Sequence, residues 1–185
     1  MNDEIIMKKL SAFTDAIRQS LEAQNWTAAL AVALTLPDIC GRLEYPNDSS
    51  SKRYSKWFDD YMKEEYSMGH LEDATTFITG RDAYALRCSF LHGGETNISQ
   101  QRIQEVLQEF IFMAPKIDNG KYFGSHCIEI NGRLVLRIDE FCNDFCVATE
   151  KWAEKHCDNK SIQEKVAYMI EIYSGAISFD GVRIE

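Results

Sequence analysis

Residues 80–92, GRDAYALRCSFLH, restrict the fold more than any other segment. On a helix, Ala83, Leu86 and Phe90 fall on one side and Tyr84, Cys88 and Leu91 on another, so little of the circumference stays polar. Thr79-Gly80 opens this helix and Gly93-Gly94 stops it. It needs neighbours on most sides, which predicts a helical bundle with this element central and buried.

The N-terminal half supplies such neighbours. Ile5, Ile6, Leu10, Phe13, Ile17 and Leu21 recur every three or four residues and predict a helix over 3–23. Asn25 is the natural N-cap of a second helix from Trp26 to Leu36. Pro37, lacking an amide, should kink or restart it, and Asp38 to Glu44 then continue as helix. Tyr45-Pro46-Asn47-Asp48 reads as a turn, after which the serines cap a third helix from Lys52 to about Tyr66. Residues 67–79 read as a loop containing a short helix.

Beyond Gly94 the pattern changes. Two extended runs, 126–130 and 133–138, flank Asn131-Gly132, the dipeptide best suited to a type I′ hairpin. A hairpin alone is marginal, and VLQEFIFM before Pro115 is the natural third strand, although Ile103, Val106, Leu107 and Phe110 also fit a helical period. Asp139 reads as the N-cap of a helix to about His156, and a last helical pattern covers Ile162 to Tyr173. The tail AISFDGVRI reads as a short strand or irregular chain. The expected fold class is mainly α (α+β), a helical bundle with a small antiparallel hairpin or three-stranded sheet in the C-terminal half. One domain is expected over 1–185, with a helical core at about 3–95 and the hairpin and closing helices at about 103–175.

Charge and cysteine usage narrow the function. A formal net charge of −9 disfavours a surface that grips phosphate backbone everywhere, which leaves local patches. Lys52, Arg53 and Lys56, interleaved with Tyr54 and Trp57, form one patch, best read as a solvated helix face, and Arg81 with Arg87 forms another. The six cysteines lack the density of a secreted disulfide framework and no apolar signal segment opens the chain, so reduced thiols and a cytoplasmic location are expected. The longest apolar run, residues 28–36, is short of the ~20 residues that span a bilayer, so no membrane is expected. No Gly-rich phosphate loop occurs, since TGRD and HGGE are isolated turns. Cys142 and Cys146 lie one helical turn apart and His126-Cys127 and His156-Cys157 can converge on them, but none has zinc-knuckle spacing, and small buried hydrophobes are the favoured reading.

Chemistry concentrates at Arg87 and His92. Five residues on a helix is ~140° of rotation, so the two flank a face and direct contact within one chain is expected to be strained. A two-fold dimer in which this helix meets its copy would set an arginine of one subunit near a histidine of the other. Imidazole can move protons near neutral pH and guanidinium can hold the added charge of a phosphorane. The plain alternative pairs Arg87 structurally with Asp38, Glu44 or Asp82, while His92 caps a helix end.

At R-C-S-F-L-H, Arg87 to His92, the sequence resembles the HEPN superfamily of helical, dimeric domains, whose hallmark is an arginine followed four to six residues later by a histidine at the end of an inner helix. The phrase ALRCSFLHGG within TGRDAYALRCSFLHGG also resembles a recurring segment of small uncharacterised bacterial proteins. The resemblance covers chiefly residues 25–95. It implies a four- or five-helix core, a homodimer and, in catalytic members, metal-independent RNA cleavage in defence or toxin–antitoxin settings, with an RNA substrate, no cofactor, and an antitoxin or other protein as partner. His92 would be the acid or base, Arg87 the stabiliser of the phosphorane, and Asp38 or Tyr84 would orient one of them. Cys88 departs from the pattern, since catalytic members usually carry a polar residue there, most often asparagine. A non-catalytic interaction module or scaffold is the alternative.

Overall fold

The computed structural model describes residues 4–68, 75–119, 121–173, 175–179 and 182–184. Helix α1 (Glu4–Glu22) buries Ile6, Leu10 and Ile17 along one stripe and packs on α2 (Trp26–Ala33) and on α6 (Ile138–Lys155). Asn25 caps α2, accepting from the Ala28 amide at 3.3 Å. Pro37 restarts the chain as α3 (Leu36–Glu44), sitting in the first turn, where a missing amide costs nothing. Ser49 caps α4 (Ser50–Tyr61). This helix is shorter than expected, because a tight 3-10 turn over Lys63–Tyr66 follows it.

The 67–79 stretch, read as a loop with a short helix, is described at its two ends, and any such helix falls outside the described residues. Its ends pair as two-residue antiparallel strands, β1 (Ser67–Met68) and β2 (Thr75–Thr76), and residues 69–74 lie outside the described set. Thr79 then caps α5 (Gly80–Gly93) through the Asp82 amide, and Gly94 closes it in the left-handed conformation.

Two glycines set how the central helices approach. A Cβ at Gly80 would lie 2.1 Å from the Ser55 carbonyl oxygen, and one at Gly41 would lie 2.9 Å from that of Arg53. The backbone of α4 is therefore pressed between α3 and α5. Across the α4–α5 contact Ser55 Oγ donates to the Gly80 carbonyl at 3.0 Å and Gly80 N to Asp59 Oδ1 at 2.8 Å.

Helix α5 is not ringed by helices as its composition predicts: it packs on α4, and a loop covers its other side. Fully buried Asp82 accepts the amides of Glu105, Val106 and Leu107, the first at 2.8 Å, and Gln101 donates to Ser89 Oγ. Arg81 and His92 stay exposed.

The sheet has three strands in the order β3 (Glu109–Met113), β7 (Arg133–Arg137), β6 (Ile128–Ile130). The β6–β7 hairpin is antiparallel and turns at Asn131 and Gly132, both with positive φ, as a type I′ turn requires. The third strand exists, confined to 109–113, and runs parallel to β7, so the sheet is mixed. A separate hairpin, β4 (Lys116–Asp118) with β5 (Lys121–Phe123), adds strands the sequence reading lacked. Helix α6 starts one residue before Asp139, whose carboxylate instead binds Arg137 at 2.7 Å, so Asp139 is a first-turn residue and not the N-cap. Helix α7 (Lys160–Val166) ends seven residues short of the expected Tyr173, and the tail forms an antiparallel pair, β8 (Ile177–Phe179) and β9 (Val182–Ile184).

One hydrophobic cluster joins helices and sheet. Phe141 and Phe145 of α6 meet edge-on at 5.1 Å, with Phe58 of α4 on one side and Phe112 of β3 on the other. More residues lie in helices than in strands, giving a mainly helical α+β fold. Among the described residues no helix is long and apolar enough to cross a membrane.

Candidate functional site

The close approach of α3, α4 and α5 brings one residue from each to a common point. Arg87 Nε donates to Asp38 Oδ2 at 2.8 Å, and Ser50 Oγ donates to Asp38 Oδ1 at 3.1 Å. The ion pair is partly sheltered, with side-chain exposures of 22% for Arg87 and 17% for Asp38. Burial weakens the hold of Arg87 on its proton, yet the Asp38 charge and neighbouring hydrogen bonds outweigh it, and the net shift is upward. Arg87 stays cationic.

The same guanidinium reaches His92. Arg87 Nη1 lies 3.4 Å from His92 Nε2, a long hydrogen bond within one chain, where the helical rotation predicted strain. Backbone rotation alone misleads here, because the arginine side chain is long and runs along the helix to its exposed last turn. A guanidinium only donates, so in this contact Nε2 accepts and the ring proton sits on Nδ1. In that tautomer the ring's acceptor nitrogen is the one that faces Arg87, at the exposed end of α5.

Tyr84 lies half-buried beside the pair, its ring edge-on to the buried Tyr54 at 5.4 Å. Burial raises its pKa and contact with Cys88 adds to this, while Ser50 opposes it. Its hydroxyl thus serves the Asp38–Ser50 side of the site. The Tyr54 hydroxyl is buried with no hydrogen-bond partner, its pKa pushed far up by burial and then by Asp38. Of the three acids proposed to pair Arg87, Asp38 alone does so.

The other sequence candidates separate. Arg81 pairs with Glu105 at 2.9 Å and the Ile103 carbonyl, away from Arg87. Lys52 binds Asp48 and Lys56 lies 3.7 Å over the Tyr45 ring, while Tyr54 and Trp57 point into the core. The first patch is therefore a helix edge without interleaved surface aromatics.

All six cysteines are free, and Cys40, Cys142 and Cys146 are buried. Burial pushes the Cys146 thiol up to about 12. His126 Nδ1 accepts the Arg137 amide at 3.0 Å and His156 turns to Glu44, so these histidines serve different elements. Among the described residues no group of three metal-ligating side chains gathers.

A polar network the sequence reading missed ties α3, α4 and α6 together. Glu44 accepts Trp152 Nε1 at 2.7 Å and Tyr61 Oη at 3.4 Å, and lies 3.3 Å from His156 Nε2. The i, i+4 spacing of Trp152 and His156 was the available signal, but the acid lies too far away in sequence to be associated with it.

No family model, curated protein or solved structure matches the chain. What the site can do therefore rests on its own geometry. It holds a fixed cation, an imidazole nitrogen in contact with it, and a carboxylate that orients the cation, groups that suit proton transfer next to a growing negative charge.

Proposed function

We propose that the chain is a HEPN-like, metal-independent endoribonuclease that acts as a cytoplasmic homodimer, of the kind that serves bacterial defence or toxin–antitoxin systems. The supporting observation is the Arg87 guanidinium held between the Asp38 carboxylate and His92 Nε2. As the Arg87 guanidinium turns from His92 Nε2 to the phosphate, Nε2 takes the proton of a ribose 2′-hydroxyl whose oxygen attacks phosphorus. The O2′–P bond forms and the P–O5′ bond breaks, giving a 2′,3′-cyclic phosphate. The departing O5′ receives a proton from the imidazolium form of His92 in the second copy, which the proposed two-fold axis would bring opposite. Arg87 holds the phosphorane charge, and Asp38 positions Arg87. Tyr84 acts through Ser50 and Cys88, packing the site and not touching substrate.

A second reading is a non-catalytic interaction module. It is favoured by the Arg87–Asp38 pair itself, which also suits a plain bridge between α3 and α5, and by Cys88 in place of the polar residue of catalytic members. Cleavage of RNA in EDTA by wild type, His92→Ala and Arg87→Ala, each shown to be folded, separates the two. Ribonuclease activity lost in both variants supports the enzyme, and a wild type that cleaves nothing supports the module.

A further inference from the structure

A groove of about 730 Å³ opens where α1, α3 and the chain after α7 meet. Phe13 and Ile39 contribute apolar lining. Its charged lining is wholly cationic, namely Arg42, Arg53 and Lys165, in a chain with 29 Asp and Glu against 20 Lys and Arg. Two of these cations are held by neutral acceptors. Lys165 Nζ donates to the Leu43 carbonyl at 3.2 Å, and Arg53 to the Asp48 carbonyl at 3.5 Å and Ser50 Oγ at 3.4 Å. Arg53 Nε is buried without a partner. A concave surface that keeps acids out of its lining concentrates positive potential even on an acidic protein.

Tyr168 lines the same groove and is 91% exposed. An open aromatic face beside several cations is the combination that holds single-stranded nucleic acid, with bases stacked and phosphates paired. A fatty acid would use one cation for its single carboxylate and has no need of an exposed ring. The groove also adjoins the candidate active site, because Ser50 Oγ accepts from Arg53 and donates to Asp38, the residue that holds Arg87. We infer that this groove binds a segment of single-stranded RNA and leads the strand to Arg87 and His92. The choice of RNA as the strand rests on the ribonuclease reading above; the preference for an anion does not.

The test is fluorescence anisotropy with a labelled 12-nucleotide oligo(A) in EDTA, using His92→Ala protein so that the probe survives. Tyr168→Ala, Arg42→Gln and Lys165→Gln are added singly, each checked for folding by circular dichroism. Loss of one stacked base weakens binding at least about fivefold. Loss of one cation lowers the slope of log affinity against log salt by about 0.7. The inference is overturned if the parent binds no RNA, if all three variants match it, or if they lose only a fluorescent fatty acid. Binding weakened in these variants without wild-type cleavage keeps the groove and removes the ribonuclease. Cleavage with an unchanged KM in the groove variants does the reverse.

Discussion

Replacing Gly80 by alanine tests whether α5 is seated by contact with the backbone of α4. The new Cβ would stand 2.1 Å from the Ser55 carbonyl oxygen and 2.7 Å from its carbonyl carbon and Cα. Ordinary contacts begin near 3.5 Å, so the overlap is roughly 1.4 Å, and all three atoms are backbone. Relief requires α5 to move off α4. Overpacking of this kind costs about 1–3 kcal/mol, and the movement also strains two hydrogen bonds worth about 1 kcal/mol each, Ser55 Oγ to Gly80 O and Gly80 N to Asp59. The better helix propensity of alanine returns at most about 1 kcal/mol. The expected net loss is therefore about 3 kcal/mol, or roughly 6–12 °C in Tm for a chain of this size. Thermal unfolding followed by far-ultraviolet circular dichroism reads it directly. Gly93→Ala in the same helix is the control, since its Cβ meets only the flexible Glu95 side chain, at 3.6 Å, and its Tm should not fall. A Gly80→Ala protein melting within about 2 °C of wild type would refute the close approach and the seating of α5 that depends on it.

Two further outcomes follow from buried carboxylates. Asp82→Ala removes the acceptor of three loop amides, at about 1–3 kcal/mol for each left unsatisfied, so urea unfolding should show a loss on the order of 3 kcal/mol; a loss under about 1 kcal/mol would mean that the 105–107 loop does not depend on it. Burial raises the pKa of Asp144, opposed in part by the Tyr66 hydroxyl at 2.6 Å, so the native state binds this proton more tightly than the unfolded chain. The associated stability is present below the unfolded pKa and is lost as pH rises through the higher folded value. Asp144→Asn should accordingly gain on wild type between pH 3 and 7, and a flat or opposite difference would contradict the shift.

The long-period elements were legible because burial on one face writes a helical repeat into the sequence, as in α1, and because caps such as Asn25 and Ser49 act locally. Asn131-Gly132 announced its hairpin for the same reason. Asn119-Gly120 carries the same dipeptide in the stretch between β4 and β5, but its flanking runs are only three residues long and carry few apolar side chains, so its hairpin signal is weak. The end of α7 is not legible in the sequence, because Tyr168, Ile170 and Ile172 keep an apolar texture past Val166 while lying exposed. At the site, Arg87, His92 and Asp38 do meet, and Tyr84 lies alongside. Their direct contact was not legible, because spacing fixes where a side chain starts and not how far a guanidinium reaches. The cationic groove draws on α1, α3, α4 and the chain around α7, a gathering that only tertiary packing produces.

Mass spectrometry of the ends left on a defined RNA after incubation with the purified protein in EDTA tests the role of Arg87 and His92 most directly. Wild type should leave 2′,3′-cyclic phosphate ends, and His92→Ala, deprived of its acid–base group, should form them about 10²–10⁴-fold more slowly. Intact RNA with wild type, 5′-phosphate ends, or equal rates from the two proteins would contradict it.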